Sequence, residues 1–192
     1  MLFPTTLTAA IALASTALAA PTLAPRDDTL TPWNLTRAII STPSGRPGER
    51  LWATITVNVT DSNTLNLGTG TDGVAVTAGP SEGLNCKATF LPTEGPWNRS
   101  WPCDPNGKQE GYWTMNLKEA PAEGTFRAGY ELVLKHVADV PYNGARFHKE
   151  YEGSLLLRVG EYLTGTCGGS GACSWGLKAA MEVRQSEIPS DA

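Results

Sequence analysis

Three acidic residues on one predicted hairpin are the first candidates for catalytic chemistry. Glu150 and Glu152 share one face of a predicted strand, and Glu131 lies on the predicted partner strand. Glycoside hydrolysis uses two carboxylates that face each other across a cleft. Acidic residues on the solvated face of a hairpin are ordinary, and nothing in the sequence marks one of these as a buried general acid. We therefore predict that none of them is catalytic.

A second candidate is the glycine-rich run 168–172, which is close to the G-x-S-x-G pattern of serine hydrolases around Ser170. Ala172 stands where that pattern has its last glycine, and no histidine follows Ser170, as the chain order of that fold requires. The two histidines, His136 and His148, lack a third ligand for a metal site. The sequence therefore predicts a non-enzymatic protein without catalytic residues, cofactor or bound metal.

The N-terminal residues 1–19 have the pattern of a secretory signal peptide. An apolar, small-residue run ends on Ala17-Leu18-Ala19, and it is too short for a membrane span. We expect a mature protein that is secreted and works outside the cell. No hydrophobic tail follows Val183, so we expect no membrane anchor. The formal charge of −4 argues against nucleic acid as a partner.

The cysteines are even in number, which in an exported chain indicates two disulfides. Three connectivities are possible for four cysteines. We predict the neighbour pairing, Cys86–Cys103 and Cys167–Cys173, because it closes two local loops. A zinc site is the alternative, but the spacings are not C-x2-C.

Three N-x-S/T triplets predict glycosylation of an exported protein, at Asn34, Asn58 and Asn98. Asn58 is the strongest of these candidates, because it lies on the polar face of the clearest predicted strand. Asn34 lies on the polar face of another predicted strand, where a glycan also has room.

Tryptophan and arginine side chains outside the predicted core are candidates for a binding surface. Trp97, Arg99 and Trp101 lie in the predicted Cys86–Cys103 loop, and Trp52 shares a strand face with Thr and Asn residues. Trp and Arg are the residues that most often dominate interface energies. The alternative is that these tryptophans fill the end of a barrel.

Period-2 alternation of apolar and polar residues predicts an all-β fold. The predicted strands are Trp33–Ile40, Leu51–Thr60, Leu84–Phe90, Tyr112–Leu117, Glu131–Val137 and Phe147–Val159. The last two form a hairpin around the turn pair Asn143-Gly144. Trp175–Arg184 is expected to be one closing strand, although it contains good helix formers. A weak strand is expected at Val74–Thr77.

These elements predict a single compact β-barrel or sandwich of short, mostly antiparallel strands with two disulfides. We expect a flexible segment over residues 20–30, the β domain over 31–186 and a loose tail over 187–192.

The run Leu84–Phe90, the triplet Trp101-Pro102-Cys103 and the segment Tyr112–Leu117 carry a family resemblance. Together with Trp33 and the late cysteine pair, they resemble the fungal secreted family typified by the Alternaria major allergen. The resemblance implies a compact β-barrel with two intrachain disulfides, and effector-like or allergen-like behaviour without catalytic residues. The chain differs from this family in having no cysteine before Cys86, a closely spaced late cysteine pair and an insertion-like segment at 61–83.

We therefore expect a secreted, non-enzymatic, effector-like protein that binds a host protein or another extracellular molecule, including a glycan. The alternatives are an extracellular hydrolase acting on polysaccharide and a carbohydrate-binding module that uses exposed tryptophans.

Overall fold

The computed structural model describes residues 30–105, 110–120 and 125–189. The predicted signal peptide, residues 20–29 of the predicted flexible segment and residues 190–192 of the predicted tail lie outside these ranges. The described strands are β1 (Trp33–Thr42), β2 (Ala53–Asp61), β3 (Leu65–Thr69), β4 (Ala75–Ala78), β5 (Ser81–Phe90), β6 (Ser100–Pro102), β7 (Gly111–Glu119), β8 (Gly129–Tyr142), β9 (Ala145–Arg158), β10 (Leu163–Cys167), β11 (Cys173–Leu177), β12 (Met181–Val183) and β13 (Gln185–Ile188).

The strands form two large antiparallel sheets and one small hairpin. The first sheet has the order β10-β11-β1-β2-β5, with β12 also paired to β1, and the second has the order β13-β9-β8-β7-β6. The hairpin is formed by β3 and β4. The described part of the chain contains no helix and no sheet that closes into a barrel. The predicted all-β, antiparallel fold with two disulfides is confirmed.

Strand β2 shows how the sequence builds the core. Ala53, Ile55, Val57 and Val59 alternate with polar residues, and all four are fully buried. Successive side chains of a strand point to opposite faces, so this pattern places one face inside and one outside. The predicted strand was right in position and in face, although Leu51 and Trp52 precede it and are exposed.

One core cluster takes side chains from both large sheets and from the β3–β4 hairpin. Trp33 of β1 contacts Trp113 of β7 edge to face, with ring centroids 4.7 Å apart. Gly153 on β9 lies against Trp33, where a Cβ atom would come 3.2 Å from the indole. The two sheets therefore share the core that the alternation predicts.

The predicted closing strand at Trp175–Arg184 is wrong as a single element. The chain instead forms β11 and β12, which pair with opposite ends of β1 and are separated by exposed residues 178–180. Between the two pairings, residues 177–180 of this segment face only three residues of β1, 36–38, so the register shifts by one. Lys178 turns away from β1, since its backbone N–H donates to the Tyr162 carbonyl.

The segment between β2 and β5 contains more structure than the weak strand predicted there. That strand is present as β4, and it pairs with β3, which the sequence analysis missed. Leu65, Leu67 and Val76 are buried, so the hairpin packs on the core. Only two apolar residues of β3, Leu65 and Leu67, alternate with polar ones, and this pattern is too short to predict a strand.

The C-terminal end of the described chain pairs with both large sheets and forms hydrogen bonds to the N-terminal end. Val183 pairs with Trp33 in the first sheet, whereas Gln185 pairs with Gly153 in the second. The Gln185 amide donates to the Thr31 carbonyl at 2.8 Å and accepts from the Trp33 backbone N–H at 3.3 Å. The strand continues to Ile188, so the boundary predicted after residue 186 is corrected, because pairing with β9 holds the next two residues.

Both predicted disulfides are formed, Cys86–Cys103 and Cys167–Cys173. Cys86 is buried on β5, and Cys103 directly follows β6. The Asp104 backbone N–H donates to the Leu84 carbonyl at 2.8 Å beside this disulfide. The first bridge therefore joins an edge strand of one sheet to the end of an edge strand of the other.

Candidate functional site

The first candidate site is a cleft of about 400 Å³ at the end of the molecule where β5 and β7 finish and β8 begins. We call it the end cleft. It is lined by Pro92, Thr93, Glu94, Gly95, Trp97, Glu119, Thr125, Phe126 and Arg127. The cleft therefore combines two aromatic rings with charges of both signs.

A tight turn after β5 forms one wall of the end cleft. The backbone N–H groups of Glu94 and Gly95 both donate to the Leu91 carbonyl. Gly95 has φ 72°, and a Cβ atom there would lie 2.5 Å from Nε1 of Trp97. Glycine is required on both counts, because other residues resist this φ and no side chain fits beside the indole. The turn thus places Trp97 in the cleft.

The second wall is held by aromatic packing. Phe126 is buried and meets Phe90 of β5 edge to face, with ring centroids 5.0 Å apart. The guanidinium carbon of the exposed Arg127 lies 5.8 Å from the centroid of the Phe126 ring, within the range of a cation–π contact. The contact with the buried Phe126 ring therefore holds the Arg127 guanidinium at the wall of the cleft.

The two carboxylates of the end cleft are exposed. Glu94 lies 3.7 Å from the guanidinium of Arg99, and both side chains are 54% exposed. Glu119 ends β7 and is exposed as well. A glycosidase raises the pKa of its general acid by burying it, and neither glutamate is buried in this way. The lining favours binding over glycoside hydrolysis.

The structure brings together part of the predicted binding surface. Trp97 lines the end cleft, and Arg99 approaches it through Glu94. Trp52 is 46% exposed and precedes Ala53, which pairs with Phe90 directly before the cleft turn, so it lies at the same end.

Trp101 belongs to a different environment. It is half-buried on β6, packs against the core, and its indole N–H donates to the Pro96 carbonyl at 3.5 Å. Trp97 is also half-buried against the core. Both tryptophans are therefore partly packed into the fold, as the alternative interpretation expects, and partly exposed.

The carboxylates considered for glycoside hydrolysis do not converge. Glu150 forms an ion pair with Lys135 on the outer face of the second sheet. The ammonium group of Lys135 holds the pKa of Glu150 below its ordinary value. A general acid needs the opposite shift. Glu131 lies four residues from Lys135 along β8 and pairs with Leu156, away from Glu150.

The predicted glycosylation residues lie on the surface to different degrees. Asn34 on β1 and Asn98 before β6 are exposed. Asn58 is half-buried on the outer face of β2, and its side-chain oxygen accepts a hydrogen bond from the Asn85 backbone N–H at 2.9 Å. Asn85 adopts φ 47° at a bulge of β5. Asn58 thus stabilises this bulge through its amide oxygen.

The second candidate site is a buried polar cluster that the sequence analysis missed. Oγ of Ser81 lies 3.1 Å from Nε2 of His136, and Nδ1 of the same ring lies 3.5 Å from Oδ2 of Asp61. The Trp113 indole N–H donates to Ser81 at 3.1 Å, and its ring stacks on the imidazole with an interplanar angle of 2°. The arrangement is a hydroxyl, an imidazole and a carboxylate in series.

One signal in the sequence could have revealed this cluster. Asp61 continues the buried alternation of β2 beyond Val59, and His136 continues that of β8 beyond Leu134. Polar residues at core-facing positions need partners, because burying an unpaired polar group costs free energy. The other histidine, His148, is not part of this cluster: it pairs with Asp139 on the adjacent strand and is exposed.

Across the described ranges, no cluster of three or more His, Cys, Asp or Glu side chains is arranged to hold a metal ion. The same residues include no helix with the length and apolarity to cross a membrane. Comparisons with protein-family models, curated proteins and solved structures find no match to this chain. The resemblance to the Alternaria allergen family stays a prediction.

Proposed function

We propose that this chain is a secreted recognition protein that binds an extracellular protein of a host through the end cleft. The observation that carries the proposal is the joining of Trp97, Phe126 and Arg127 in one cleft, with exposed Trp52 at the same end. Aromatic and arginine side chains dominate the binding energy of many protein interfaces. The cleft itself acts by binding and not by catalysis.

The charges at the cleft support a protein partner. The cleft is lined by Arg127, Glu94 and Glu119, and Arg99 contacts Glu94. This surface can therefore pair with both acidic and basic side chains of a partner. A nucleic-acid partner would favour a basic surface, whereas the whole chain has a formal charge of −4.

The scaffold supports the proposal through its rigidity. We infer that the two large sheets pack as a sandwich, with the end cleft formed by connections between strands. Such connections commonly carry the binding residues of rigid β-scaffolds. The Cys86–Cys103 disulfide restrains the segment that follows Trp97, and this restraint lowers the entropy lost on binding.

The test replaces Arg127 by Glu and compares capture of host extracellular proteins with that by the wild type. Reversing a charge at the centre of an interface should weaken capture of a specific partner at least tenfold. Arg37→Glu is the matched control, because Arg37 is exposed on β1, outside the cleft. Trp97→Ala is a poorer test, since Trp97 also packs against the core.

Equal loss of capture by Arg127→Glu and Arg37→Glu would mean that net charge, and not the cleft, governs binding. Glycan-array binding by the wild type that Arg127→Glu abolishes would replace the protein partner by a carbohydrate. Neither result depends on stability, provided that urea midpoints of the three proteins agree.

A further inference from the structure

We infer that Ser81, His136 and Asp61 form a nucleophilic centre that attacks small carboxylic esters, an activity separate from binding in the end cleft. Asp61 ends β2, Ser81 begins β5, and His136 lies on β8 in the other sheet. The core thus brings together three residues that are far apart in sequence. This inference differs from the sequence-based prediction that the chain has no catalytic residue.

The order of the atoms is the one that serine hydrolases use. The Ser81 hydroxyl lies 3.1 Å from Nε2, and the Asp61 carboxylate lies 3.5 Å from Nδ1 of the same imidazole. Such triads are recognised by geometry and not by the order of residues along the chain. The other oxygen of Asp61 accepts two hydrogen bonds from Asn63, at 2.8 Å and 2.6 Å, which orient the carboxylate.

These hydrogen bonds are compatible with the proton arrangement of a catalytic triad. The Trp113 N–H donates to Oγ of Ser81, so this oxygen acts as acceptor there and its own proton is free to point at His136. Nε2 then accepts, and the ring proton sits on Nδ1, facing Asp61. This is the tautomer that a general base needs. The stacked Trp113 ring, with its centroid 4.4 Å from that of the imidazole, fixes the ring orientation.

Nδ1 of His136 is buried and makes no hydrogen bond to any of the residues that the structure describes. The 3.5 Å separation from Asp61 needs only a small movement to become a hydrogen bond. Hydrogen bonds among catalytic groups are often long in free enzymes and shorten when substrate binds. The unpaired atom therefore indicates a bond that forms during reaction.

Access favours Ser81 as the reacting group. The side chains of His136 and Asp61 are 2% and 1% exposed, whereas Ser81 is partly exposed at the start of β5. A serine oxygen has two lone pairs, of which one accepts from Trp113 and the other remains for attack. Ser81 is therefore the most exposed residue of the three, while its base and carboxylate are shielded from water.

The reaction follows from these positions. Oγ of Ser81 bonds to the ester carbonyl carbon as its proton moves to Nε2 of His136, and Asp61 stabilises the resulting imidazolium. The bond from carbon to the alkoxide then breaks, and His136 returns the proton to release an alcohol. Water attacks the acyl-serine by the same proton path, which releases the carboxylic acid and restores the Ser81 hydroxyl.

The test uses a fluorophosphonate probe on the full secreted protein. The Ser81 oxygen displaces fluoride from phosphorus and its proton passes to His136, which leaves a stable adduct that peptide mapping can locate. We expect about one equivalent of label, and Ser81→Ala should lower the labelling rate at least a hundredfold. Asp61→Asn should lower it by roughly 10⁴-fold, the loss of kcat that the equivalent change causes in a known triad.

Ser174→Ala is the matched control and should label like the wild type, because Ser174 is exposed on β11, outside the cluster. Near-ultraviolet circular dichroism of the tryptophans checks that each variant is folded. Hydrolysis of p-nitrophenyl acetate that stops in Ser81→Ala would support the inference further. A wild-type labelling rate less than a hundredfold above that of Ser81→Ala, or an adduct on another serine, would overturn it and leave the cluster as a structural network.

Discussion

Tyr130 illustrates, at the scale of single residues, how completely the core of the second sheet excludes solvent. Its ring is fully buried on the inner face of β8, and its hydroxyl makes no hydrogen bond within the described part of the chain. Burial raises the pKa of this hydroxyl well above its ordinary value, because the ionised form would lose its hydration. A buried hydroxyl without a partner costs about 1–3 kcal/mol.

We expect Tyr130→Phe to raise the free energy of unfolding by about 1 kcal/mol, because it removes an unpaired polar atom and leaves the ring packing unchanged. Urea denaturation measures the change. Tyr112→Phe is the control, since Tyr112 is 57% exposed and its hydroxyl is accessible to water, so no change is expected there. A loss of stability in Tyr130→Phe would show that the hydroxyl has a buried partner.

At the scale of elements, the turn after β5 connects backbone conformation to the end cleft. Gly95 and Gly45 have nearly equal angles, φ 72° and 74°. A Cβ atom at Gly95 would collide with the Trp97 indole, whereas one at Gly45 would meet nothing within 4 Å. Comparing alanine substitutions at these two glycines therefore separates the strain of a positive φ from the steric clash with Trp97.

We expect Gly95→Ala to lower the free energy of unfolding by at least 1 kcal/mol more than Gly45→Ala does. Both variants carry the cost of a left-handed backbone, about 1 kcal/mol, and only Gly95→Ala must displace Trp97. Thermal unfolding and tryptophan fluorescence measure the two effects. Equal losses in the two variants would mean that the indole moves aside freely.

Elements with long alternation could be predicted from the sequence, and shorter ones could not. The alternation of β2 from Ala53 to Val59 sets its inner face, and Asn143-Gly144 sets the β8–β9 turn. Bulges at Thr36–Arg37 and near Asn85 depend on pairing with other strands, so local patterns do not reveal them. The alternation of β2 and β8 does place Asp61 and His136 at core-facing positions, but the meeting of His136 with Ser81 depends on the packing of the two sheets.

At the scale of the whole molecule, the two disulfides differ in how much chain they close. Cys86–Cys103 spans 17 positions, whereas Cys167–Cys173 spans six. A cross-link stabilises mainly by restricting the unfolded chain, and the effect grows with loop length. The first bridge also joins edge strands of the two sheets.

Replacing Cys86 and Cys103 together by Ala should lower the free energy of unfolding by about 3 kcal/mol on the loop-entropy model. The same change at Cys167 and Cys173 should cost about 2 kcal/mol. Urea unfolding of both double variants under non-reducing conditions measures the difference. A larger loss from the second pair would mean that its bridge also organises the β10–β11 edge.

The hydrogen bonds of the Gln185 side chain to Thr31 and Trp33 join residues that are made at very different times during translation. The first strand cannot complete its hydrogen bonds until residues about 150 positions later have left the ribosome. The first sheet is therefore completed only after the last described strand has been made, and contacts so distant in sequence slow folding. The same closeness of the two ends of the described chain suits circular permutation, in which a short linker joins them and a new start is cut at the exposed Asn143-Gly144 turn.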